Sequence, residues 1–284
     1  VILAHEIPEL SKLYFGESAK LKRHIESVAS EILGSDGFEE IVTPIFSYHQ
    51  HQSVADEREL IRINDEKNSH ITLRADSTLD VVRLTQKRLG QNTEQKRWFY
   101  VQAVYSYPSE EQYQIGAELI DSNDLEAVLA LSVTIFKRLE LLPLLHISNM
   151  KIPHMLVDLF DELSLDDFRH TNIEKFLALK VEWLSKLVYA QSTSQIEDLL
   201  SIVPNTLAVE LKKLADLQSK IEYKNSVLSP LYYADMLYYD DLYFRFIDAN
   251  EIFASGGAYT NDGINGVGFA IYTDALIEKM SKGL

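Results

Sequence analysis

Arg97-Trp98-Phe99-Tyr100-Val101-Gln102-Ala103-Val104-Tyr105 and, a few residues on, Gln112-Tyr113-Gln114-Ile115-Gly116-Ala117-Glu118-Leu119-Ile120 decide the fold. Both runs are dense in aromatic and aliphatic residues. Tyr107-Pro108-Ser109-Glu110-Glu111 between them is turn chemistry, so they read as the long strands of a hairpin. On the C-terminal side Leu125, Val128, Leu129, Ile135, Phe136 and Leu139 recur at helical spacing, predicting a helix that buries one face on the sheet. On the N-terminal side Leu79 to Leu89 is helical. Leu60 to Ile63 and Ile71 to Leu73 flank a polar turn as a shorter hairpin, and Ile41, Pro44 and Phe46 mark an extended segment. Before these, Leu21, Ile25, Val28, Ala29 and Ile32 form the stripe of an amphipathic helix ending near Gly34 and Gly37.

From about Pro153 to Lys224 leucine alternates with Glu and Lys and the strand signal fades. Asn172 to Tyr189 and Leu207 to Tyr223 read as helices, broken at Ser192-Thr193-Ser194 and Pro204-Asn205. Strand chemistry resumes after Pro230, in Leu242 to Ile247, Glu251 to Phe253 and Val267 to Ile271. The expected fold class is α+β, an antiparallel sheet flanked by helices. Residues 1–150 and 226–284 are expected to form its core and 151–225 a helical insertion.

The 284 residues carry 27 Lys+Arg against 43 Asp+Glu, a net charge of −16, which opposes a broad grip on a phosphate backbone, so no nucleic-acid partner is expected. The longest apolar stretch, Leu125 to Ile135, is too short to span a bilayer and is closed by Lys137-Arg138, so no membrane role is expected either. Glu6, Glu9 and Lys12 interrupt the first apolar residues, against a signal peptide, and cysteine is absent. A cytoplasmic protein is the expectation.

No local constellation assigns a chemistry. His49 and His51 would share a strand face, but two imidazoles without a third ligand predict no metal. Ser255-Gly256-Gly257 lacks the Lys-Ser/Thr of a phosphate loop and the spacing of a dinucleotide fold, and reads as a tight turn or a close backbone approach beside a strand. Asp235, Asp240 and Asp241 near Tyr238-Tyr239 are either acid/base groups or solvated loop charges, the second being expected in a chain this acidic. A cysteine nucleophile is impossible and no Gly-x-Ser-x-Gly elbow occurs.

Taken together, the landmarks resemble class II aminoacyl-tRNA synthetases of the histidyl branch, in order along nearly the whole chain. Gly37-Phe38-Glu39-Glu40-Ile41-Val42-Thr43-Pro44 resembles the first class-defining motif, whose helix and strand build a dimer interface around the proline. Leu73-Arg74-Ala75-Asp76-Ser77-Thr78 is similar to the family's Leu-Arg-Pro-Glu-Gly-Thr segment. Phe99 to Tyr105 with Gln114-Ile115-Gly116-Ala117-Glu118 resembles the second motif and the Gln-x-Gly-x-Glu strand that reads histidine. Leu237-Tyr238-Tyr239 resembles part of Arg-Gly-Leu-Asp-Tyr-Tyr, Ser255-Gly256-Gly257-Ala258-Tyr259 the Gly-Gly-Gly-Arg-Tyr strand, and Val267-Gly268-Phe269-Ala270-Ile271 the start of the third motif. The resemblance implies Asp76, Thr78, Gln114, Glu118, Tyr238 and Tyr239 as histidine contacts. Each has a plain alternative: Gln114 and Glu118 as satisfied strand residues, the tyrosines as core aromatics with a wet end.

The departures are informative. Adenylation brings a carboxylate to an α-phosphate and needs preplaced cations, each worth on the order of 3 kcal/mol of transition-state stabilisation. Where the family has arginines, this chain has Ser106, Ala234, Ala258 and Ala275, and Tyr272 replaces a glycine beside the nucleotide. The run closes at Leu284, soon after the third motif, so no anticodon-reading domain is expected. A synthetase-like core so depleted resembles the regulatory subunits of ATP phosphoribosyltransferase. That implies a non-catalytic chain without cofactor, dimeric within a hetero-octamer. Its partner would be a short-form catalytic subunit of the first step of histidine biosynthesis, which it activates, with L-histidine as feedback effector bound in the relic pocket or at the subunit interface. The alternatives are a histidine-tRNA ligase, a free-standing amino-acid or tRNA binding module, and a purely structural assembly subunit.

Overall fold

The computed structural model describes residues 6–50, 56–90, 93–234, 238–261 and 263–282. The chain divides into two compact units, residues 1–122 with 268–284, and residues 123–267.

In the first unit, helix α1 (Gly16–Ser35) buries Ile25, Val28, Ala29 and Leu33, the stripe expected from the sequence. Gly37, at φ +82°, supplies the left-handed turn that ends it. Strand β1 (Glu39–Glu40) runs parallel to β5 (Arg97–Ser106), which pairs antiparallel with β6 (Glu110–Ile120) from Arg97↔Leu119 to Ser106↔Glu110 without a break. The strand order is β1-β5-β6-β11, where β11 is Ile264–Tyr272 and crosses the unit boundary in sequence. A small antiparallel sheet in the order β2-β4-β3 holds β2 (Phe46–Ser47), β3 (Arg62–Asn64) and β4 (His70–Leu73), the expected short hairpin with one added strand. Helix α2 (Thr78–Leu84) continues as a π-helical turn over Thr85–Leu89, and α10 (Thr273–Ser281) packs on α1 and β6.

Arg74 ties these pieces together from inside. Its side chain is buried, with Nε donating to the Ala103 carbonyl at 2.8 Å and Nη1 to the Thr43 carbonyl at 2.8 Å and Thr43 Oγ1 at 3.1 Å. Its own backbone bonds Ile45 at 2.7 Å and Tyr105 at 2.8 Å. One residue thereby satisfies the carbonyls of two segments that the short strands leave open.

In the second unit, Asp124 caps helix α3 (Leu125–Arg138) by accepting from the Ala127 amide at 3.1 Å. Strands β7 (Leu144–Asn149), β8 (Ser226–Leu228), β9 (Tyr239–Asp248) and β10 (Glu251–Asn261) take the order β11-β10-β9-β7-β8. Phe136 of α3 meets Phe246 of β9 at 4.6 Å between ring centroids, covering one sheet face. Between β7 and β8 come helices α4 (Lys151–Leu159), α5 (Leu165–Arg169), α6 (Ile173–Ala178), α7 (Glu182–Val188), α8 (Thr193–Leu199) and α9 (Asn205–Lys220). Leu207, Leu211 and Leu214 form the buried stripe of α9, which packs on β7 and β8.

The class α+β stands, with corrections of detail. The sheet is mixed rather than wholly antiparallel, since the β1–β5 and β7–β8 pairs are parallel. Strands β7 and β8 were not anticipated. Strand β10 runs straight through Gly256-Gly257, so the tight-turn reading of that pair falls and the close-approach reading holds, as shown below. Asp240 and Asp241 lie on β9 rather than in a loop.

Replacing Arg74 by Met keeps the volume but leaves buried carbonyls unsatisfied. Arg74→Met is expected to lower the unfolding free energy by about 3 kcal/mol and Thr43→Val by about 1 kcal/mol, read from urea denaturation at constant m-value.

Candidate functional site

In the first unit, pleat alternation puts Gln102, Tyr100 and Trp98 of β5 on the same face as Gln114, Gly116 and Glu118 of β6, in direct cross-strand pairs. Tyr100 is opposite Gly116, and a Cβ at position 116 would overlap its ring. The glycine of the Gln-x-Gly-x-Glu pattern is therefore the seat of a tyrosine. Gly268 does the same for Glu118, whose carboxylate and the Ala117 carbonyl occupy the space a side chain there would need. Glu118 is fully buried. Burial, reinforced by the negative charges of Glu118 and Asp76, pushes the Tyr100 phenol well above its ordinary pKa, and Thr78 and Tyr272 also face it. The Tyr100 hydroxyl therefore stays protonated among carboxylates, a donor in an anionic setting.

Asp76 and Thr78 are placed by the turn into α2. Gln50, which the sequence reading did not single out, accepts from the amides of Ala75 at 2.8 Å and Asp76 at 2.7 Å and donates to Asp80 at 2.6 Å. Asp76 Oδ1 accepts from the Leu79 amide at 2.9 Å, so this carboxylate also caps α2. Gln102 donates to Ser77 Oγ at 2.9 Å, and Gln114 donates to Gln112 at 2.8 Å along its own strand. Asp76, Thr78, Gln114 and Glu118 are all buried polar residues of this one unit. Its buried arginine, Arg74, spends its donors on backbone carbonyls, and burial holds its pKa below the ordinary value.

At the hairpin tip Ser106 donates to Glu110 at 2.8 Å, and three residues join the strands, fewer than the five expected because Glu110 and Glu111 already belong to β6. At the start of α10 Asp274 accepts from the Tyr113 amide at 2.9 Å and from the Tyr14 hydroxyl, and burial raises its pKa. The residue after it is Ala275.

In the second unit, Tyr238 and Tyr239 belong to a chain of rings on the sheet. Tyr232 and Tyr243 stack at 5.8 Å, Tyr243 and Tyr239 meet at 5.0 Å, Tyr239 and Tyr238 at 4.6 Å, and Tyr238 and Tyr259 at 6.0 Å. The rings lie on glycine: a Cβ at Gly257 would come 2.8 Å from Tyr239, and one at Gly266 2.6 Å from Tyr259. The glycine strand is packed by the chain's own aromatics and forms no phosphate nest. Ala234 is buried, its amide against Met150 Sδ at 3.3 Å.

A basic group absent from the sequence reading stands at one end of these rings. Arg245 lies with its guanidinium carbon 3.9 Å from the centre of the Tyr232 ring, and its Nη2 approaches His146 Nδ1 at 3.5 Å. Arg245 can only donate, so Nδ1 of His146 is the acceptor. Burial, then the Arg245 charge, push the imidazole down to about 4. Ser229 Oγ is 3.4 Å from the same nitrogen. Its sequence partners are far away, and only the β7–β9 register, His146 opposite Arg245, brings the pair together.

The remaining sequence candidates separate. Among the described residues no group of three or more His, Cys, Asp or Glu is arranged to hold a metal, and His51, Asp235 and Leu237 lie outside the described residues. Asp241 pairs with Lys151 beside a cavity of about 620 Å³ that Lys213, Asp240 and Asn265 also line; of the predicted contacts none lines it. Among the described residues no helix is long and apolar enough to cross a membrane.

The histidyl-tRNA synthetase family model matches residues 14–276. The ATP phosphoribosyltransferase regulatory subunit of Wolinella succinogenes is 47% identical over 280 residues, 99% of this chain and 97% of that protein. Its namesake in Helicobacter hepaticus is 40% identical over 278 residues, 98% and 99% of the two chains. The solved ATP phosphoribosyltransferase (HisG:HisZ) complex of Thermotoga maritima contains a chain of the same fold, with a TM-score of 0.68 at 20% identity over 89% of this chain and 97% of that one.

The His146 imidazole gives a pH signature. The unfolded chain holds the proton more tightly, with a pKa near 6.5, so unfolding takes up a proton between pH 6.5 and about 4, and stability falls as the solution is acidified through that window. The urea midpoint is expected to drop from pH 7 to pH 4.5, and His146→Gln to flatten the part of the drop that this residue carries.

Proposed function

The chain belongs to the family of ATP phosphoribosyltransferase regulatory subunits, and from that premise we propose that it acts as a non-catalytic partner that activates a short-form catalytic subunit and conveys feedback by L-histidine. Its place is in histidine biosynthesis, and the 47% identity over nearly the whole length carries this reading. The histidine-tRNA ligase and free-standing binding-module alternatives are set aside by the same kinship.

Catalytic silence is supported by the residues where a synthetase needs cations. Ser106 is engaged with Glu110, Ala234 and Ala258 end at a methyl group, and Ala275 follows an Asp274 committed to Tyr14 and Tyr113. A triphosphate would meet the buried carboxylates of Glu118 and Asp76, whereas an α-ammonium or imidazole N–H would be welcomed by them. We therefore assign the relic histidine pocket to Asp76, Thr78, Gln114 and Glu118 of the first unit; Tyr238 and Tyr239, also expected as contacts, belong to the aromatic row of the second unit. The dimer implied by the first motif is supported by the exposed apolar side chains Val42, Ile45 and Phe46 around Pro44, with Val42 75% exposed. Hetero-octameric assembly and a cytoplasmic location complete the proposal.

The test is reconstitution with the cognate short-form subunit. Addition of the chain is expected to raise phosphoribosyl transfer and make it histidine-sensitive, while the chain alone gives no ATP-dependent pyrophosphate exchange. Glu118→Gln should still activate, with inhibition shifted to about tenfold or more higher histidine, the scale of one charge-assisted hydrogen bond. Exchange by the chain alone overturns the silent reading. Unchanged inhibition in Glu118→Gln removes the pocket assignment and leaves the regulatory role.

A further inference from the structure

Arg245 is a partly buried cation without a counter-ion. Among the described residues it forms no ion pair, and its Nε is shut off from solvent with no hydrogen-bond partner. What surrounds it is neutral: the Tyr232 ring at 3.9 Å, the His146 imidazole at 3.5 Å, and Ser255 directly opposite on β10. On the same face, next along β7 from His146, the Ser148 hydroxyl is likewise buried with no partner among the described residues. A guanidinium with a buried, unsatisfied N–H and an unsatisfied hydroxyl on one sheet face are costly in a fold made only for packing. An incoming oxyanion would satisfy the guanidinium, with the Ser148 hydroxyl a second donor on the same face.

We propose that Arg245 is the carboxylate-reading residue of an effector site on the β7–β9 face, taking the α-carboxylate of a free aromatic or heteroaromatic amino acid whose ring lies along Tyr232 and Tyr243. A carboxylate fits better than a phosphate. The site offers one positive charge, because His146 accepts at Nδ1 and burial keeps it neutral, and a planar two-oxygen anion matches the fork of guanidinium donors. Tyr232, half-buried and stacked on the buried Tyr243, is the aromatic surface that a planar side chain would meet. Arg245 reaches the Tyr232 segment, two residues before Ala234, from β9. The inference deepens the effector reading above and rests on it for the identity of the amino acid.

The experiment uses the full chain, calorimetric titration with L-histidine and with histamine, which lacks the carboxylate, and the side-chain Nε–H resonance of Arg245 followed during titration with acetate. Wild type is expected to bind histidine more tightly than histamine. Arg245→Gln should weaken histidine about ten- to a hundredfold, leave histamine unchanged, and so erase the discrimination, with Arg245→Lys recovering part of it and certifying that the fold survives the change. Equal histidine affinity in wild type and Arg245→Gln overturns the proposal. If histidine does not bind wild type at all, acetate separates the two readings. A saturable shift of the Arg245 resonance keeps the carboxylate site and removes histidine as its effector, whereas no shift overturns the site itself.

Discussion

The sheet face of each unit depends on glycine placed under a large polar side chain. Tyr100 needs Gly116, Glu118 needs Gly268, Tyr239 needs Gly257, and Tyr259 needs Gly266. Each pair lets a ring or carboxylate lie flat on the strand, where any Cβ would lift it off. The consequence is chemical as much as steric. These glycines hold the chain's own tyrosines and glutamate, so the face is occupied by phenols and a carboxylate. That gives two halves of different charge, each within its own unit: an anionic floor at Asp76 and Glu118, and an aromatic row ending in Arg245.

Much of this was legible in the sequence because it is local or periodic. The alternation in 97–105 and 112–120 sets the register of β5 and β6 and puts Gln114 and Glu118 on one face, and the helical stripes of α1 and α3 sit where their spacing indicated. Strand β7 escaped because Leu144-Leu145-His146-Ile147 is a short apolar run after a helix, with no alternation of its own. Its parallel partner β8 is three residues long and lies some 80 positions away. Strand β10 was cut short at Gly256-Gly257 because glycine weakens a strand by propensity, an effect that the tyrosines packed over it override.

The candidate site divided along the same line. Residues joined by i, i+2 or i, i+4 spacing were found; those joined only by register were not. Gln50 shapes the turn at Asp76 from 26 positions upstream, and His146 faces Arg245 across 99. Sequence reasoning looked for arginines at the positions a family resemblance dictates and found alanine and serine. Arg245 lies outside those positions and was not singled out. It stands on β9, wedged between a tyrosine and a neutral histidine.

This placement bears on regulation. An adenylating site needs several cations converging on phosphate oxygens, and the proposed silence rests on Ser106, Ala234, Ala258 and Ala275, none of which carries a charge. A sensing site has a different requirement: its ligand must bind one conformation better than another, because an equal affinity shifts nothing. Groups that are fully satisfied in the free protein contribute little to such a difference. Arg245 and Ser148 are not satisfied, so an anion arriving there changes the free energy of the segment that holds them, β7, β9 and the Tyr232 stretch, by the full amount of a desolvated charge finding its partner. The β7 strand also packs against α9 of the helical run. Under the effector proposal, a guanidinium left incomplete in the free protein is what would give such a sensing site its difference in affinity.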